Sequence, residues 1–253
     1  MRLLKYIKED QFDEVQTQVV QDFIKVISKS EYSESLRFVK KQLDKLTSPI
    51  AFESHWSRCF FYRGISANTS IIEKTPRTDR KPKDSHIKLS TWVDDAFESK
   101  FNWRPRSNGV FATGAYDVAE GYGSAVYMFF PSNGFKFIWS PETSDVYKDL
   151  GFMDFVDPKT PSVGARMRRD WENNYTNEYE TFDDYLDDYE NSWKNKIEDA
   201  VKDYKSTDLE TAKESGHEIM FKCNKYCALI FEHYIGGSVG FLLAKHIRYE
   251  LWD

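Results

Sequence analysis

Cysteine is scarce in this chain, and the three present, Cys59, Cys223 and Cys227, cannot all pair with one another. An odd count without a paired framework excludes a disulfide-stapled scaffold and points to a reducing compartment. Cys223 and Cys227 stand four apart, but the five histidines (55, 86, 217, 233 and 246) add no ligand motif around them. A zinc site needs four such ligands at close spacing, so no metal is expected and the thiols read as small core residues. No apolar run reaches 18 residues, and the opening MRLLKYIKED has no signal-peptide core. The expectation is therefore no membrane span and action in a cytoplasm. Positive charge is also in deficit, 35 Lys and Arg against 41 Asp and Glu, a net of −6. That excludes nucleic-acid binding through a global basic field and leaves local patches open.

What is present is a globular composition, 40% hydrophobic and 30% charged, dense in aromatics at 16%. With 253 residues the chain is long enough for one large domain, or one domain with an appended element. Phe12, Val15, Val19, Phe23, Val26 and Ile27 recur at three and four and predict a helix over 9–28. Ser33 suits the cap of a second, running to about Lys45. These form an N-terminal helical layer over 1–57. Cys59 to Tyr62 is an aromatic strand signal ending in Arg63-Gly64. An arginine there is either paired with a carboxylate or grips a phosphate or ribose. Residues 67–88 predict a polar, locally basic loop, 89–101 a helix, and Trp103 to Asn108 an arginine-bearing lead into the next element.

Asn108 to Pro131, NGVFATGAYDVAEGYGSAVYMFFP, is the stretch around which the rest is organised. It reads as strand, tight turn at Thr113-Gly114, short helix bearing Val118, Ala119 and Tyr122, then a buried strand, with a cleft at the turn. GFKFIW at 134–139 is a further strand, and 158–170 a loop with a basic cluster at Arg166, Arg168 and Arg169. A long amphipathic helix follows over 182–205, capped by Thr181 with Asp184 three residues on. His217 to Cys223 and Tyr226 to Phe231 are two strand-like runs around Asn224-Lys225, with Glu218 at the head of the first. Val239 to Trp252 mixes strand and helix signals.

An Arg on an aromatic strand, a strand–turn–helix with small turn residues, and a Glu at a late strand resemble, in that order, the mono-ADP-ribosyltransferase superfamily. RSNGVFATGAYDVAEGYG, FFPSNGFKFIWSP and GHEIMF resemble more narrowly the ADP-ribosyltransferase-like proteins of tailed bacteriophages. The resemblance covers about 58–150 and 216–232. It implies an α+β fold with a split, mixed β core in a catalytic domain over 58–253 and a helical insertion at about 165–213. It implies NAD+ as co-substrate, no metal, and transfer of ADP-ribose to a host protein or nucleic acid during phage infection. The setting would be the host cytoplasm, or the protein would be packaged in the virion. Carried over, Glu218 is the catalytic carboxylate and Arg63, with Gly64, the dinucleotide-holding strand. Phe111-Ala112-Thr113-Gly114 takes the Ser-Thr-Ser region, where only Thr113 keeps a hydroxyl, and Tyr122 is the aromatic near the nicotinamide. Arginine-directed members carry a second Glu where this chain has Gly216, which leaves the acceptor open. Three rivals stand beside transfer: an NAD+ glycohydrolase, a non-catalytic binding or inhibitor protein using its acidic helix, and a nucleic-acid modifier using Arg77–Lys83 and Arg166–Arg169.

Overall fold

The computed structural model describes residues 14–81, 86–151, 154–231 and 236–249. Phe12, Lys83 and the last residues of the tail therefore lie outside the described residues. The chain divides into two compact units, one of Met1–Arg77, Gly109–Trp139 and Lys205–Asp253, the other of Thr78–Asn108 and Ser140–Tyr204.

The first unit is α+β, with two sheets. Strands β1 (Phe61–Ile65), β2 (Ile71–Lys74), β4 (Ala125–Pro131) and β7 (Tyr226–Ile230) form one, in the order β1-β4-β7-β2. Strands β3 (Val110–Ala112), β5 (Lys136–Trp139) and β6 (Ile219–Lys222) form the other, in the order β3-β6-β5. All strand pairings are antiparallel among the described residues, where a mixed core was expected.

Strand alternation gives each face its own core. Phe61, Tyr127, Phe129, Phe221 and Tyr226 pack in the cluster that joins residues of both sheets. Phe221 sits with its ring 5.2 Å from those of Phe61 and Phe129. Tyr62, Val126, Met128 and Phe130 turn the other way, into a cluster with the helices. Those helices are α1 (Glu14–Ile27), α2 (Ser33–Asp44), α3 (Pro49–His55) and, from the mixed-signal tail, α11 (Gly236–Tyr249). Phe23 and Ile27 of the predicted α1 stripe are buried, joined by Val20, which was not part of it, while Val15 is exposed.

Four local expectations change. Ser33 is the first residue of α2 and does not cap it: Asn133 donates to the Ser33 hydroxyl at 2.9 Å and accepts from Glu34 N at 2.8 Å. A distant turn supplies the polar partner that a local cap would have given. The aromatic strand starts later and runs further, because Arg63 and Gly64 pair with Tyr127 and Val126 of β4. The predicted 67–88 loop contains β2, an edge strand whose Ile72 is buried against β7. The basic segment at 166–169 is helical, within α8 (Pro161–Asn174), started by Pro161 and with Met167 inward.

The second unit is helical, with α4 (Ile87–Phe101), α5 (Pro105–Asn108), α7 (Val146–Asp149), α8 and α9 (Phe182–Lys202). The predicted capping box opens α9, with Thr181 and Asp184 bonding each other's backbone. Val93 and Phe97 of α4 and Trp193, Ile197 and Val201 of α9 are buried. Lys100 donates to the carbonyls of Val201, Lys202 and Tyr204 at 3.0, 2.6 and 2.8 Å, capping the negative end of α9.

Candidate functional site

The small helix α6 (Tyr116–Glu120) presses on β1 backbone to backbone, beside an edge-on ring contact between Tyr116 and Tyr62 at 5.9 Å. A Cβ on Gly64 would stand 2.3 Å from the Ala119 carbonyl oxygen, and one on Gly123 2.3 Å from the Ile65 nitrogen. Only glycine permits that approach. Alternation turns Gly64 toward the helices and Arg63 toward the interior shared by the two sheets, on the side of Phe61.

Arg63 donates from a terminal nitrogen to the Phe111 carbonyl and lies with its guanidinium carbon 5.9 Å from the Tyr226 ring centre. Its Nε is buried with no hydrogen-bond partner. Burial pulls its pKa below the ordinary arginine value, and Tyr226, Cys223 and Glu218 act in the opposite sense. Arginine remains charged under such a shift, so a cation lies beside Tyr226 and within electrostatic reach of Cys223 and Glu218. Burial likewise pushes the Cys223 thiol up to about 12 and raises the Tyr226 phenol. Neither is a nucleophile near neutral pH.

Thr113 holds the turn to both neighbours. It is 4% exposed. Its amide and carbonyl bond Tyr62 across a bridge from β1, at 2.9 and 2.7 Å. Its hydroxyl donates to the Gly216 carbonyl at 2.6 Å and accepts from Ala115 N at 3.1 Å. Gly216 ends α10 (Leu209–Ser215) in the left-handed region, φ 72°, two residues before Glu218. Gly114 packs its α-carbon against the Lys213 carbonyl, where a Cβ would stand 1.7 Å from the oxygen. Lys213 is 7% exposed and donates to the Arg58 carbonyl at 2.7 Å. The strand bearing Arg63 and the loop bearing Glu218 are thus tied to one turn.

The predicted site residues divide accordingly. Arg63, Thr113 and Glu218 come together around the β1–β3–β6 junction. Gly64 serves the fit of α6. Phe111 contributes its carbonyl, while its ring lies on the opposite face of β3 from Val110 and Ala112, which line the core between the sheets. Tyr122 is 58% exposed on the turn after α6. Tyr226 was not singled out from the sequence. Nothing in a Tyr after Asn-Lys announces it, because its place beside Arg63 follows from the chain changing sheets between β6 and β7. Arg104 and Arg106, weighed as phosphate contacts, are engaged inside the second unit: Arg104 pairs with Asp95 and Glu98, and Arg106 lies 4.0 Å over the Tyr147 ring.

No family model, curated protein or solved structure matches this chain. Among the described residues no group of three or more His, Cys, Asp or Glu could hold a metal ion, and no helix is long and apolar enough to cross a membrane. A half-buried guanidinium with one orphaned N–H beside a carboxylate can hold an anionic, hydroxyl-rich ligand and stabilise positive charge forming next to it.

Proposed function

We propose that the chain is an NAD+-dependent ADP-ribosyltransferase of ADP-ribosyltransferase-like fold, moving ADP-ribose to a host protein or nucleic acid during phage infection. The supporting observation is the convergence of Arg63 and Glu218, distant in sequence, on one junction tied by Thr113. The phage setting rests on the sequence resemblance alone.

The residues fit the co-substrate in one checkable respect. The orphaned Nε of Arg63 is a buried donor in need of an acceptor, which a ribose or phosphate oxygen supplies. Bound NAD+ would bring a glycosidic bond whose cleavage develops positive charge at the ribose. Glu218, half-buried at the head of β6, supplies the carboxylate that accepts a ribose hydroxyl and stabilises that charge. Arg63 fixes position and takes no part in bond making. Thr113 already spends its hydroxyl on Gly216 and Ala115, so its part is to hold the Glu218 loop.

Hydrolysis of NAD+ is the second reading, favoured by Gly216. A glycine in the left-handed region places no carboxylate two residues before Glu218 to direct an acceptor. NAD+ consumption by wild type and Glu218→Gln, with and without bacterial lysate, separates the possibilities. Lysate-dependent turnover that falls by about a hundredfold or more in the variant supports transfer, within the range of lost electrostatic stabilisation. Lysate-independent turnover supports hydrolysis. Wild type that neither binds nor consumes NAD+ sinks both.

A further inference from the structure

Charge on the second unit is arranged against the interest of one of its own helices. Between Asp170 and Glu190 lie nine carboxylates and no lysine or arginine. In α9 this order suits the helix, since Asp183 and Asp184 stand in its first turn, at the positive end of its dipole. In α8 it does not. Arg166, Arg168 and Arg169 come first, Glu172 stands in the last turn, and that turn holds no basic residue. Helix stability explains Asp183 and Asp184; most of the other acids are grouped where the end of α8 meets the start of α9.

That end is also aromatic. Tyr175 stacks on Tyr185 at 5.4 Å, Tyr179 meets Tyr185 at 5.5 Å, and all three rings are partly exposed. The group already receives one guanidinium: Arg168 lies with its guanidinium carbon 4.3 Å from the centre of the Phe182 ring. Around the rings Glu172, Glu178, Glu180, Asp183 and Asp187 are exposed and have no cationic partner among the described residues. Tyrosine hydroxyls hold two others: Tyr179 bonds Asp188 at 2.8 Å and Tyr185 bonds Asp170 at 3.2 Å. The rings and these acids are held in place while the remaining carboxylates face solvent.

We propose that this end of α8 and α9 is a docking surface for an arginine-rich segment of a partner protein. Guanidinium groups pair with carboxylates and lie flat on tyrosine faces, so one side-chain type satisfies both features of the patch. Charge complementarity selects a basic polypeptide and rejects nucleic acid, whose phosphates would meet like charge. The proposal stands on the second unit alone and is independent of NAD+ chemistry.

The test uses the full chain and a fluorescent nona-arginine peptide, read by anisotropy at low and high salt. The variant carries Glu178→Gln, Glu180→Gln and Asp187→Asn. The control carries Glu14→Gln, Glu53→Gln and Glu120→Gln, three exposed sites in the first unit with the same change in net charge. Binding that salt weakens, that drops about tenfold in the first triple and that stays within about twofold in the control is the expected result. A separate Tyr175→Leu change weakens binding of nona-arginine more than of nona-lysine. Equal losses in the two triples reduce the effect to overall charge and overturn the proposal, as does an absence of binding to wild type at low salt.

Discussion

The two units both carry surface ion pairs, such as Lys41 with Glu210 in the first, and differ in the cations placed at their most buried points. In the first, the charges that matter are covered and held by backbone: Arg63 by the Phe111 carbonyl, Lys213 by the Arg58 carbonyl. In the second, charge stays at or near the surface, in pairs such as Lys88 with Glu190 and Arg104 with Asp95 and Glu98, or unpaired on α8 and α9. Lys100, over the end of α9, and Asp94, 2% exposed and held by the Arg106 and Ser107 amides, follow the first pattern there. A carbonyl partner leaves the net charge of a buried cation uncompensated, so the cation stays available to an anion, for Arg63 the Glu218 carboxylate or a ligand beside it. A carboxylate partner neutralises it. The first arrangement suits a binding site, and the second leaves an electrostatic surface.

The sharpest way to break this contrast is at the backbone contacts of the first unit. Gly114→Ala drives a Cβ into the Lys213 carbonyl, which cannot move aside as a flexible side chain would. A cost above about 3 kcal/mol is expected, at or beyond the upper end for overpacking. Thermal melting should show it, with loss of amide protection in β3 and β6. Gly121→Ala, whose Cβ meets its nearest atom at 3.5 Å, should leave both readouts unchanged. Similar melting of the two variants would mean the turn at 113–114 has slack.

In the second unit the comparable break is an ordinary core deletion. Ile197, 1% exposed on α9, should cost about 2–5 kcal/mol as Ile197→Ala. Hydrogen exchange should place the loss in α4 and α9. A loss of protection confined to the first unit would contradict the division of the chain.

The smallest effect concerns a surface pair on the first unit. Lys41, then Lys45, hold the Glu210 carboxyl down to about 2 from an ordinary 4.5. A depressed folded-state value means stability that is present above about pH 4.5 and is lost as pH falls toward 2. The Glu210 side chain is about one-third exposed, so solvent screening limits the contribution to about 0.5 kcal/mol. Glu210→Gln should lower the melting temperature slightly at neutral pH and converge with wild type near pH 2. A gap that persists at pH 2 would show that packing, and not the ion pair, was lost.

Much of the architecture could be read from local pattern. The stripe of α1, the capping box of α9 and the strand–turn–helix–strand of 110–131 all surfaced, because period and cap chemistry are local properties. The misread segments had their structure set from afar. Ser33 yields the capping of α2 to Asn133, β1 takes its length from β4, and β2 is a strand because β7 offers it an edge. Of the site, Arg63, Thr113 and Glu218 could be named from residue type and order. Tyr226 and the Arg58 carbonyl could not, since neither has a signature apart from its neighbours.

The sequence by itself determined α1, α2, α4, α6 and α9, most strands, the acidic block and the residue types available for chemistry, for each follows from spacing along the chain. Tertiary structure decided that β6 and β7, three residues apart, enter different sheets. That crossing brings both the Tyr226 phenol and the Glu218 carboxylate within electrostatic reach of the Arg63 guanidinium. Short-range pattern cannot encode it, because the free energy that selects it comes from burying Phe61, Phe129 and Phe221 together across two sheets.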